Sequence, residues 1–282
     1  MATWNINPTT GNDSTGNGTT LPWKTVQKGH DMASAGDTLL IAAGTHSITG
    51  STISASISKS LTVMGPRLAR ECVLDGGVSL AGAWMRTTAS NVSLTIQNLQ
   101  FRRIDGAVAG AWETTLSNIH TTVENCEFFE CTASSTRLFT PGHQVTLTGS
   151  TFRVSTCLIH ISSDSQLVMY SNASNGLICS VRNSLFIFEC VSSHAFYFGS
   201  AFDELSIKNN IFYTNGASNN TLLGGTSFGT FGNNIVYASG AGAWTNVPSD
   251  ATTLAIDPEF LDAANGDYRP MALQAMTGGD PT

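Results

Sequence analysis

Ile96-Gln-Asn98-Leu-Gln-Phe101 and Val123-Glu-Asn125-Cys-Glu-Phe128 share one frame: apolar, any residue, Asn, a small or variable residue, any residue, Phe. The frame returns as Leu147-Thr-Gly149-Ser-Thr-Phe152, Val181-Arg-Asn183-Ser-Leu-Phe186, Ile207-Lys-Asn209-Asn-Ile-Phe212 and Phe231-Gly-Asn233-Asn-Ile-Val236. Successive third positions are 27, 24, 34, 26 and 24 residues apart, and weaker copies ending at Gly44 and Gly65 extend the series toward the N-terminus. A period of this size marks a repeat architecture. Asn and Gly both tolerate positive φ, so a two-residue bend there redirects one short strand into the next. Apolar residues recurring once per copy at a fixed offset from that bend must stack along a common axis.

Leucine-rich, helical and propeller repeats do not match these copies. The spacing therefore predicts an all-β fold, a single-stranded parallel β-helix of about eight turns, roughly 35 to 40 Å long at ~4.8 Å per turn. The amides of Asn98, Asn125, Asn183, Asn209 and Asn233 are expected to form a structural ladder, with Gly149 as its gap. Leu99, Cys126, Ser150, Ser184, Asn210 and Asn234, one residue on, are expected to point inward beside it.

Residues 1–36 read as an N-terminal cap, in which Trp23, Val26, His30 and Ala33 at helical spacing predict a short amphipathic helix before a strand over Thr38 to Ala42. The coil is assigned to 37–245. An irregular C-terminal cap and tail, 246–282, is expected to cover the last turn with Ile256 to Phe260 and Asn265 to Tyr268. Two intervals run long and predict surface loops, Gly76 to Ser90 with Trp84 and Ser163 to Gly176 with Tyr170. Trp84, Trp112 and Tyr170 are the candidate surface contacts, for stacking on a glycan or for a subunit interface.

The 282 residues include 13 basic and 20 acidic ones, a net charge of −7, and the 12% charged fraction is about half the usual share. Scattered cations make no stripe for a phosphate backbone, so nucleic acid is not an expected partner. No apolar run approaches the ~18 residues of a membrane span. The six cysteines show no CxxC pairs and no zinc-like spacing with the six histidines. Buried free thiols are expected, with no metal and no cofactor. The opening Met-Ala-Thr-Trp-Asn-Ile lacks the regions of a secretory signal, which implies either a trimmed signal or release without one.

Pro22-Trp-Lys-Thr-Val-Gln27, Gly36-Asp-Thr38-Leu-Leu-Ile41, Ala43-Gly-Thr45, Lys59 to Gly65, Val73 to Gly77 and the tail Asp257 to Asp262 with Asn265 to Arg269 resemble the right-handed parallel β-helix proteins of the pectin lyase-like superfamily. The resemblance covers nearly all of the chain and implies the right-handed sense. It does not choose a chemistry, because the superfamily holds lyases, hydrolases, phage tailspikes, adhesins and structural virion proteins.

A glycoside hydrolase needs two carboxylates about 5 to 9.5 Å apart. In this register no two acids share an offset on adjacent turns; Glu130 is expected to pair with Arg103. Gly142-His-Gln144 and Ser206-Ile-Lys208 stand where polygalacturonases have acid-bearing motifs, and no acid cluster surrounds Arg153 or Arg182 as in pectate lyases. No catalytic residues are assigned. The expected function is a non-enzymatic structural protein of a bacteriophage particle, a decoration, fibre or tailspike-like component at the virion surface. Its expected partners are further copies of itself, with a trimer carried over from phage relatives, other virion proteins and host polysaccharide. Two alternatives stay open: a polysaccharide-degrading enzyme, or a secreted protein of the bacterial cell surface.

Overall fold

The computed structural model describes residues 1–48, 55–77, 85–104, 108–112, 116–130, 137–143, 147–148, 150–161, 166–171, 177–189, 193–198, 204–215, 220–225, 229–239, 242–249, 252–263 and 267–271. Among these the chain winds through three parallel sheets of nine, eight and eight strands, contributing one strand to each sheet per circuit. Parallel strands joined by such crossovers take the right-handed sense.

Each sheet buries side chains that stack coil upon coil. In the first sheet Leu39, Val63, Ile96, Val123, Val154, Val181, Ile207 and Phe231 are direct register partners. The second sheet stacks Leu74, Phe101, Phe128, Ile159, Phe186, Phe212 and Val236. In the third, Ala55, Met85, Phe139, Met169, Phe196 and Leu223 are buried in one row. Identical residues at one height gain ring stacking as well as burial: Phe101 lies 4.8 Å from Phe128, and Phe186 lies 4.8 Å from Phe212. Each fully buried ring contributes roughly 1.5 to 3 kcal/mol.

The corner between the first and second sheets is the bend that the repeat marks. Asn98, Asn125, Asn183, Asn209 and Asn233 all sit there at positive φ, between 51° and 59°. One coil corrects the sequence reading. Its bend residue is Thr156, at φ 52°, and Ile159, rather than Phe152, stacks on Phe128. Phe152 lies in the first sheet, opposite Thr121, while Gly149 is outside the described residues. A β-branched residue is a poor occupant of this region, which is why the frame was placed one strand too early. Thr156 is held by its own hydroxyl, which donates to Asn125 Oδ1 at 2.6 Å. With the bend at 156, the interval to Asn183 is ordinary, and the loop expected over 163–176 contains strand Gln166–Ser171 of the third sheet.

At the N-terminal end, strand Thr3–Ile6 joins the first sheet beside Thr38–Ile41, which the sequence reading did not foresee. The cap helix is Val26–Met32, and the Thr25 hydroxyl at its N-cap accepts from Lys28 N. Trp23 precedes the helix and bridges Ile6. It is 2% exposed and stacks on Trp4 at 5.2 Å, plugging the core. Gly18, at φ 71°, lies flat on the Trp23 ring, where a Cβ would come within 2.7 Å. His30 is packed, its Nε2 accepting from Ser58 N.

The opposite end is closed by Trp244, whose ring meets Phe188 edge-on at 5.1 Å and whose Nε1 donates to Tyr237 O. Thr252 and Leu254 of the tail pair onto the last coil: the Thr252 hydroxyl accepts from Asn233 N, and Leu254 bridges Ile235. The tail's hairpin, Phe260–Asp262 with Asp267–Pro270, runs back along the outside of the second sheet. There Phe260 packs edge-on against Tyr213 at 5.0 Å, and Tyr268 reaches His160 at 5.8 Å. No helix among the described residues is long and apolar enough to cross a membrane.

Candidate functional site: a groove along the bend edge

The bend row forms one wall of a groove that follows the coil axis. Its floor is the outward row of the second sheet beside the bend, Glu127, Leu158, Leu185, Ile211 and Ile235, which are direct register partners. Leu254 of the tail bridges Ile235 and carries the floor past the last coil. Opposite the bend row stand Pro270 of the tail and, farther along, Arg67 and Arg70 of the segment ahead of the second sheet's Cys72–Asp75 strand. Two adjoining cavities of about 450 and 410 Å³ result, meeting at Thr156 and Leu158.

The structure places the five ladder asparagines on the outer rim of this edge. Asn125 and Asn183 are exposed, while Asn98, Asn209 and Asn233 are half-buried. The buried side-chain ladder runs one residue later. Asn234 Oδ1 accepts from Asn210 N at 2.9 Å, Asn210 Oδ1 from Ser184 N at 3.0 Å, and Ser184 Oγ from Cys157 N at 3.2 Å. Asn210 Nδ2 also donates to the carbonyls of Val181 and Lys208. The corner is thus a rigid, hydrogen-bonded spine facing inward, with a row of amides facing out.

The acids near the groove are tied to cations or amides. Arg70 Nε donates to Glu127 at 2.8 Å, and Gln100 Nε2 meets the same carboxylate at 2.6 Å. Glu124 accepts from Gln97. The expected Glu130–Arg103 pair is replaced: Arg102 takes Glu130 at 3.1 Å, and Arg103 reaches back to Asp75. Arg103 occupies a bend at φ 51°, and its guanidinium reaches Asp75 on the preceding coil while Arg102 reaches Glu130 on the following one. The Arg103 guanidinium holds the Asp75 carboxyl below the usual carboxylate range. Under the hairpin, Glu189 lies 3.0 Å from His160 Nε2 and accepts from Tyr268 Oη at 3.4 Å. Burial, followed by the Glu189 charge, pushes the Tyr268 phenol up to about 12.

The aromatic candidates lie elsewhere. Trp112 ends strand Val108–Trp112 in register with His143, and Tyr170 pairs with Tyr197, all in the third sheet and away from the groove. Trp84 is outside the described residues. Cys72, Cys126, Cys157 and Cys179 are buried free thiols; burial pushes those of Cys72, Cys157 and Cys179 up to about 12. Cys131 and Cys190 are outside the described residues. The described residues bring together no metal-ligating cluster of three or more His, Cys, Asp or Glu. The groove itself was missed from sequence, because its second wall comes from the tail and from residues 67–70, which no repeat signal connects to the bend.

Fold and corner together define a parallel β-helix. No family model matches the chain, and no curated protein sequence does either. Among solved structures it is similar to a pectin methylesterase from Erwinia chrysanthemi, at 10% identity over 95% of this chain and 98% of that one, with a TM-score of 0.42. A pectate lyase is similar at 13% identity over 93% and 83%, TM-score 0.37. A lacto-N-biosidase from Eubacterium ramulus follows at 9% over 90% and 68%, TM-score 0.32. At these values the neighbours carry no argument about chemistry.

Proposed function

We propose that the chain is a non-catalytic structural β-helix, a decoration, fibre or tailspike-like component of a bacteriophage particle. The observation that carries this reading is how the carboxylates on the coil are used: Asp75, Glu127 and Glu130 are each committed to an arginine of another coil or of the loop beside it. Such acids brace neighbouring coils. A hydrolytic pair would instead leave two carboxyl groups facing one another across a cleft. Support also comes from the outer face of the first sheet, where Thr38, Thr62, Thr95 and Thr122 follow one another in register. Short neutral side chains are buried against another subunit without the desolvation cost of a charge.

The reading is tested by immunogold electron microscopy and peptide mass spectrometry of purified particles whose genome carries this gene. The chain is expected at the particle surface. Incubation with pectin, de-esterified pectin and host capsule is expected to release neither unsaturated sugars nor reducing ends. Release of either, or absence of the chain from particles, overturns the proposal.

A further inference from the structure

We propose that Cys126 and Cys157 are a redox staple: in an oxidising compartment a disulfide forms between them and locks one coil of the stack to the next. This inference concerns one pair of side chains and stands apart from the particle role, so each can fail without the other.

Register brings the two sulfurs together. Glu127 and Leu158 are direct partners, and Leu158 N donates to Cys126 O at 3.0 Å, so Cys126 and Cys157, one residue earlier, hold the same place on adjacent coils. Stacked strands put their Cα atoms ~4.8 Å apart, inside the roughly 4.4 to 6.8 Å that a disulfide spans. Both side chains face the core, at 0% and 3% exposure. Cys157 Sγ already donates to Val123 O at 3.7 Å, on the coil that holds Cys126. Cys126 Sγ donates to Ile96 O, one coil further back, so closing the bond asks for one χ1 rotation at Cys126. The contacts given up are weak, because a thiol is a poor donor.

No other pair among the described cysteines is placed this way. Cys179 has Phe152 and Leu205 as its register partners, and its Sγ meets the Met169 thioether at 3.6 Å, which cannot form the bond. Cys72 has Gly44 on one side and, one residue before the Val73–Gln100 pair, Leu99 on the other. The position also continues the inward spine. Asn234, Asn210 and Ser184 each accept from a backbone N–H of the preceding coil, and the last of those donors is Cys157 N. The next two places are held by Cys157 and Cys126, so the disulfide carries the linkage one coil further. In a stack where each coil contacts only its neighbours, a covalent link between two of them stops the stack from opening there.

Reactivity sets when the bond forms. The thiolate is the attacking species, and burial holds both thiols protonated at neutral pH in the finished coil. The bond is therefore made as the chain folds, with a low-molecular-weight disulfide, glutathione disulfide, as the oxidant. One cysteine thiolate attacks a glutathione sulfur and releases the first glutathione; the other attacks the mixed disulfide and releases the second. The two cysteine thiols lose two protons and two electrons, and glutathione disulfide is reduced to two glutathiones.

The test is refolding of the full chain from urea, either in a glutathione redox buffer or in excess reduced glutathione, followed by peptide mass spectrometry without reduction. The oxidised preparation is expected to yield the Cys126–Cys157 peptide pair as its main cross-link, and the reduced one to leave both thiols free. The bridged chain is expected to melt roughly 5 to 10 °C above the reduced one in scanning calorimetry, because the bond closes a loop of one full coil. The double variant Cys126→Ser/Cys157→Ser is expected to melt at one temperature in both buffers. Export of the unmodified chain to the bacterial periplasm gives a second readout that needs neither refolding nor a variant, and the same peptide pair is expected there. The proposal is overturned by free thiols at 126 and 157 in both the oxidised and the exported chain, or by a main cross-link through any other cysteine. A bridged chain that melts no higher than the reduced one overturns it too.

Discussion

Replacing Asn210 by alanine tests the inward spine against the outward rim. Asn210 is 1% exposed, and its carboxamide is used from both ends. Its Oδ1 accepts from Ser184 N; its Nδ2 donates to Val181 O at 3.0 Å, to Lys208 O at 2.9 Å and to Asn234 Oδ1 at 3.1 Å. Alanine strips the Ser184 N–H of this acceptor in a dry interior, a cost of about 1 to 3 kcal/mol, and leaves two carbonyls each one donor short. Asn234 Oδ1 keeps the backbone N–H of residue 210, so the spine is cut on one side only. A loss of about 3 kcal/mol results. Asn183→Ala, on the exposed rim, costs only about 1 kcal/mol, the preference of asparagine over alanine at positive φ, and Asn183→Gly costs close to nothing. Urea denaturation followed by far-UV circular dichroism measures all three variants. Equal losses for Asn210→Ala and Asn183→Ala would refute the division of labour between the two positions.

Thr156→Ala keeps a poor residue type at positive φ and removes the hydroxyl that bonds Asn125 Oδ1 and Asn125 N, and is expected to cost about 1 to 2 kcal/mol in the same assay. Gly65→Ala places a Cβ 2.1 Å from the Asn98 carbonyl oxygen, which is backbone and cannot swing aside; a loss of about 3 kcal/mol is expected. Asp37 accepts from Ala2 N, Trp4 Nε1 and Ser34 N, which together draw its carboxyl down to about 2. Its unfolded value is higher, so the unfolded chain binds the extra proton and stability falls as pH drops from about 4 toward 2. Asp37→Asn is expected to flatten the melting temperature against pH in that window. Iodoacetamide at pH 8 is expected to leave Cys126, Cys157 and Cys179 unlabelled in the native chain and to label all three in urea, as read by peptide mass spectrometry.

Much of the coil was legible because its signal is local and repeated. An apolar residue, an Asn at the bend and a Phe three residues on report both faces of a corner, and Asn98, Asn125, Asn183, Asn209 and Asn233 were placed at that corner from spacing alone. The frame failed where chemistry substituted for propensity. Thr156 is a poor bend residue by type and is held there by its hydroxyl on Asn125, a contact between coils that no single segment displays. Strand Thr3–Ile6 was too short to show alternation, and it is fixed by pairing with Thr38–Ile41. The tail's route was unreadable for a similar reason. Phe260 and Tyr268 find Tyr213 and His160 across the outside of the second sheet, and that long-range packing builds the far wall of the groove.

Aromatic-to-methyl NOE spectroscopy on the chain with Phe and Ile selectively labelled tests the stacking order most directly. The account requires the Ile159 methyls to show cross-peaks to both the Phe128 and the Phe186 rings. Cross-peaks placing Phe152 between those two rings, with Ile159 remote from both, would contradict the register from which the spine, the rim and the groove are all built.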